Sequence, residues 1–148
     1  MIRIVHPVAG VVALATILAF WTSTLISELF CDAAAVLAVK TAILYGLAVL
    51  IPAMAVVGGT GFRLGGRSHN PLVVAKRRRM PIIAANGLLV LVPCAIFLQA
   101  RATEGLFDAV FYGVQGVELL AGALNIALLG LSLRDGLALA ARRRPASA

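Results

Sequence analysis

Acidic side chains are scarce in this chain: six Asp and Glu stand against thirteen Lys and Arg in 148 residues. Histidine and cysteine are scarcer still, two of each. Cys31 and Cys94 have no metal-type spacing, and they are expected at different depths, so neither a zinc site nor a disulfide is expected. Aromatic residues make up 6%, too few to interleave with the basic positions as a stacking surface for nucleic acid requires. The net charge of +7 therefore points to a membrane surface, with no nucleic-acid partner. Catalytic signatures are missing too: no His-Glu-x-x-His, no Gly-x-Ser-x-Gly and no paired Asp motif of membrane proteases. The stretch Gly58-Gly59-Thr60-Gly61 lacks the Lys and Ser/Thr of a phosphate loop. The expectation therefore leans toward a non-catalytic protein without settling the point.

What the chain has in abundance is apolar length. It is 61% hydrophobic with a mean hydropathy of +1.02, whereas soluble domains are about 45–50% apolar. Four helices are predicted, over about 7–30, 33–57, 81–100 and 107–133, with a basic loop at 58–80 and a basic tail at 134–148. The first apolar run reaches Phe30 without a small-x-small cleavage site, so it reads as a retained helix. The fold class is an all-α, integral membrane, four-helix up–down bundle.

Orientation follows from the basic residues. Arg3, Arg63, Arg67, Lys76, Arg77, Arg78, Arg79, Arg134, Arg142, Arg143 and Arg144 fall on one side, and Arg101 alone on the other. Lys and Arg are retained on the cytoplasmic side, so both termini are expected there, in a bacterial cytoplasmic membrane. Arg63, Arg67, Lys76, Arg77, Arg78 and Arg79 are candidate contacts for anionic lipid headgroups or an acidic partner, at about 1 kcal/mol per basic residue near the surface.

Polar residues inside the spans mark the candidate site. On the fourth helix Asp108, Gln115, Glu118, Gly122 and Asn125 fall on one face. Lys40 on the second helix lies roughly 9–10 Å deep, and Glu118 roughly 13 Å deep, at 1.5 Å per residue. They can pair if their helices touch, either as a structural ion pair or as a proton- or ion-coupled site with Gln115, Tyr45, Asn125 and Asn86 as polar neighbours. The alternative is that Lys40 snorkels outward and leaves Glu118 protonated. His6 and His69, placed at the cytoplasmic side, are the candidate ligands for a haem b. Four-helix membrane cytochromes hold haem on histidines deep within helices, and this chain departs from that pattern, so no cofactor is expected.

A small-residue stripe, Ala15, Ala19, Ser23 and Ser27, suits close helix approach. The segments Gly46–Ala55 and Gly87–Ile96 match around Pro52 and Pro93, a pattern that can mark binding sites in transporters but that short apolar segments also produce by coincidence. The general build resembles small four-helix bacterial inner-membrane proteins. It departs from the small multidrug transporters in its long basic loop and in the apolar run where their working glutamate lies. The expected function is permeation or transport of a small solute or proton. A non-catalytic accessory subunit that binds a larger membrane partner or its own copies is the rival, and a haem redox protein the third.

Overall fold

A computed structural model describes residues 2–66 and 69–141. Five α-helices follow in order: α1, Ile2–Phe30; α2, Ala33–Gly65; α3, Pro71–Asn86; α4, Val92–Thr103; and α5, Ala109–Ala141. A single π turn, Gly87–Leu91, joins α3 to α4 without a break. The four resulting rods are each long and apolar enough to cross a membrane, so the expected all-α, four-helix membrane architecture is what the chain adopts. Arg67 and the tail arginines Arg142, Arg143 and Arg144 lie outside the described residues.

The helices run further than hydropathy suggests. The glycines at Gly58–Gly61 do not end α2. Thr60 donates its hydroxyl to Val56 O, and the helix continues to Gly65, where Gly66 at φ +39° turns the chain and bonds its N–H to Phe62 O. In an apolar medium every backbone group needs an internal partner, which favours helix even through glycine. Asn70 then caps α3 by accepting from Leu72 N–H, with Pro71 in the first turn. The expected loop at 58–80 is therefore helical over 58–65 and 71–80. Lys76, Arg77, Arg78 and Arg79 sit on a helix, and Pro81 lies within it.

Side-chain contacts fix the packing. His6 at the start of α1 meets Thr60 near the end of α2, and Phe20 lies over Gly46, so the two helices are antiparallel from the Cys31–Asp32 turn onward. Asp32 caps α2 by accepting from Ala35 N–H at 2.9 Å. Along the other side of α1, Trp21 donates to Leu119 O at 3.0 Å and its ring faces Gly122 of α5. Two apolar clusters hold the interior: Val36, Leu98, Ala102 and Phe111 near one end, and Ile17, Ile83 and Leu129 nearer the other.

The rest of the molecule is turned inside out relative to a soluble bundle. Phe30, Leu89 and Leu120 are at least three-quarters exposed, while Lys40, Gln115, Asn125 and Asp135 are buried. Lipid, as apolar as a core, is the solvent that makes this arrangement stable.

Candidate functional site

The buried row of α5 reads Phe111, Gln115, Gly122, Asn125, Leu129, Ser132 and Asp135. With Glu118 between Gln115 and Gly122, its steps are each three or four residues, the spacing that keeps one helix face toward its neighbours. Polar side chains thus line almost the full length of the helix on the side away from lipid. The row includes the predicted Gln115, Glu118, Gly122 and Asn125. It omits Asp108, which is exposed, accepts from Phe111 N–H at 3.0 Å and pairs with Arg101. The Phe111 N–H first, and then the Arg101 guanidinium, hold the Asp108 carboxyl below its ordinary range.

Lys40 and Glu118 meet. Lys40 Nζ lies 2.7 Å from Glu118 Oε2, with the lysine side chain fully buried and the glutamate 12% exposed. Lys40 therefore does not snorkel. Gln115 Nε2 donates to the same Glu118 oxygen at 3.0 Å. Glu28, near the end of α1, stands within electrostatic reach of both Lys40 and Glu118. Its Oε1 and Gln115 Oε1 are buried and without a hydrogen-bond partner among the described residues. Tyr45 is not part of this group: it is 77% exposed and faces outward.

Immediately inside Glu118 is a cavity of about 50 Å³, lined by Phe20, Trp21, Thr24, Leu91, Ala95 and Glu118 among others. That volume exceeds the roughly 10–15 Å³ one water needs, but the wall is almost wholly apolar, and an apolar cavity stays dry. Deeper along the row, Asn86 and Asn125 form a reciprocal clasp. Asn86 Nδ2 donates to Ala121 O at 2.8 Å and to Asn125 Oδ1 at 2.9 Å, while Asn125 Nδ2 donates back to Ile83 O at 3.3 Å. Each asparagine thereby caps a carbonyl of the opposite helix. The Ile17–Ile83–Leu129 cluster lies beyond this clasp.

At the far end Asp135, 3% exposed, binds Arg79 at 2.6 Å and Arg134 at 3.5 Å. Beside it a bonded chain links three helices. His6 Nδ1 lies 2.9 Å from Thr60 Oγ1, and Lys76 Nζ lies 3.2 Å from His6 Nε2. Because Thr60 Oγ1 already donates to Val56 O, His6 must carry its proton on Nδ1 and accept from Lys76 on Nε2. Both ring nitrogens of His6 are thus engaged, and His69 is exposed in the α2–α3 connection. No group of three or more His, Cys, Asp or Glu that could hold a metal occurs among the described residues.

The basic residues divide. Arg63, Arg77 and Arg78 are exposed, while Lys76 and Arg79 turn inward on His6 and Asp135. Glu28, Asp135, Thr60 and Ser132 were not among the predicted site residues. Continuing the three–four rhythm of α5 past Asn125 reaches Leu129 and Ser132, a signal present in the sequence, while Asp135 needs a second step of three. Nothing local to Glu28 separates it from an ordinary helix-end acid. Comparison with protein-family models, curated proteins and solved structures finds no match for the chain.

Proposed function

We propose that this small multi-pass membrane protein moves protons, or a solute no larger than a few water molecules, along the polar seam of α5. The observation that carries the reading is the burial of Gln115, Asn125, Ser132 and Asp135 on one face of a membrane-length helix whose opposite face is apolar. Polar groups at such depth are costly and are typically retained for pathways and relays. The Ile17–Ile83–Leu129 cluster is the barrier that would part for passage. Arg63, Arg77 and Arg78 at the opposite end suit anionic headgroups, and by the positive-inside rule that end faces the cytoplasm of a bacterial cell.

The test is reconstitution into vesicles holding a pH-sensitive dye, followed by an imposed proton gradient. Wild type should dissipate the gradient faster than empty vesicles, and Glu118→Gln should slow it severalfold. Wild-type rates equal to those of empty vesicles across every gradient tried would remove the proton pathway.

A second reading, a non-catalytic accessory subunit, is favoured by the reciprocal asparagine clasp and the Arg79–Asp135 pair, which serve helix register as well as any pathway. A partner co-purifying at fixed stoichiometry from the native membrane would support it.

A further inference from the structure

One imidazole ties three helices together. His6 of α1 donates from Nδ1 to Thr60 Oγ1 of α2 at 2.9 Å, and its Nε2 accepts from Lys76 Nζ of α3 at 3.2 Å. The ring is seated on α2 at Gly61, where a Cβ would stand only 3.1 Å from His6 Cε1. Lys76 rests on α5 as well, its Nζ 3.5 Å from where a Cβ of Gly136 would lie. Elsewhere α1 and α3 keep apart: among the described residues no Cα of one comes within 8 Å of a Cα of the other. Among those residues the His6–Lys76 bond is also the one hydrogen bond between the two helices.

Two nitrogens facing each other across a hydrogen bond share one proton. A second, taken from solution onto His6 Nε2, sets N–H against N–H and cation against cation, and the bond is lost. The Nδ1–H bond to Thr60 is unchanged by that step, so α1 keeps α2 and releases α3. The proton returns to solution when the bond re-forms, so charge balances in both directions. We propose that His6 and Lys76 form a proton-operated strap, closed while the imidazole is neutral and open once it is charged.

The neighbours leave His6 no other way to respond. Among the described residues no carboxylate pairs with it. Its own helix carries Arg3, and α2 offers Thr60 and, three residues on, the exposed Arg63. From α3 comes Lys76, and from α5 Asp135, already bound by Arg79 and Arg134. The freed ammonium keeps α5 beside it, so α1 is the element that lets go. The strap joins the same two helices that bring Ile17 and Ile83 into the apolar cluster, and its opening loosens that barrier. Its use as a gate rests on the proton-path reading; the strap itself is measured without any flux.

Spin labels at Val8 and Ile82, both exposed, test it in the reconstituted full chain with Cys31 and Cys94 replaced by alanine. Pulsed dipolar spectroscopy reads the label separation from about pH 8 to about pH 5, which brackets the ordinary histidine value near 6.5. Ring NMR signals, assigned with His69→Gln, report protonation of His6. The separation should lengthen in step with that titration, and His69→Gln should respond as wild type does. Lys76→Met and His6→Phe should hold the longer separation at every pH. A separation that stays constant while His6 titrates overturns the proposal, as does a His6 ring that never titrates in this range. A pH response that survives in Lys76→Met overturns it equally, and decides the matter alone if His6→Phe does not fold. Opening without proton flux would sink the transport reading and leave the strap standing. Flux at constant separation would do the reverse.

Discussion

Breaking the Lys40–Glu118 pair one partner at a time should separate its electrostatic contribution from its packing. At 2.7 Å and an effective dielectric near 20, the attraction is about 6 kcal/mol. Desolvating the two ions costs several kcal/mol each, so the intact pair is close to neutral in net stability. Removing one member is another matter. The survivor stays buried without its counter-charge, at a typical cost of about 3–5 kcal/mol. The two single variants should not be equal. Glu118→Gln leaves Lys40 with Glu28 still in reach, a substitute partner, so its loss should fall at the lower end. Lys40→Met leaves two carboxylates and no cation, and its loss should be larger at neutral pH and shrink on acidification. The double variant Lys40→Met with Glu118→Gln should recover much of either loss. Equilibrium unfolding of all four proteins in one mixed-micelle system measures this. Losses that simply add in the double variant would mean that the two side chains do not interact.

Three further outcomes follow from geometry. A Cβ at Gly46 would stand 2.3 Å from the tip of the Phe20 ring, so Gly46→Leu should push α1 from α2 and cost about 1–3 kcal/mol by overpacking, measured by unfolding; pairing it with Phe20→Ala should restore most of that. Asn86→Ala leaves Asn125 Oδ1 without its donor at a buried position, and should destabilise by about 1–3 kcal/mol, whereas Gln99→Ala, in the exposed bond to Thr103, should be nearly silent. The lowered Asp108 carboxyl adds stability that is fully present above its ordinary value of 3.8 and fades as pH falls through the lower folded value. The stability difference between wild type and Asp108→Ala should therefore narrow in that acidic window and stay level above it.

Much of this architecture was legible from periodicity and charge. Hydropathy located all four rods, and the spacing from Gln115 to Asn125 located the buried face of α5. Depth arithmetic brought Lys40 to Glu118 because helical rise is constant, so two positions equally far from one end meet if their helices are adjacent. Other features depend on rotation about the axis and on neighbours. Tyr45 is expected as a polar neighbour of Lys40 and Glu118, yet it is 77% exposed and faces outward. Asp108 shares the phase of Gln115 but lies before the first turn of α5, where an N-terminal carboxylate is drawn to free N–H groups. The helical course of Lys76–Arg79 was hidden by their charge, which reads as loop in a hydropathy profile. In the fold Lys76 and Arg79 find His6 and Asp135. The paired segments around Pro52 and Pro93 also part company: Pro52 sits inside continuous α-helix, while Pro93 follows a π turn.

That π turn sets the phase of the whole third rod. Three turns of α-helix consume about 10.8 residues, yet the inward-facing Ile83 and Ala95 are twelve positions apart. The surplus residue is taken up where Val92 N–H reaches back five positions to Gly87 O, just ahead of Pro93, which has no N–H of its own to offer the preceding turn. Upstream and downstream faces are thereby brought into line despite an inserted residue: Asn86 and Arg79 aim at α5, and Leu98 and Ala102 close on Val36 and Phe111. Shortening the segment by one residue would let ordinary helix form throughout and rotate one half of the rod by about 100° against the other. Either the asparagine clasp or the apolar cluster would then face lipid. The third rod works as two helices geared together, with the wide turn as the tooth that keeps them in step.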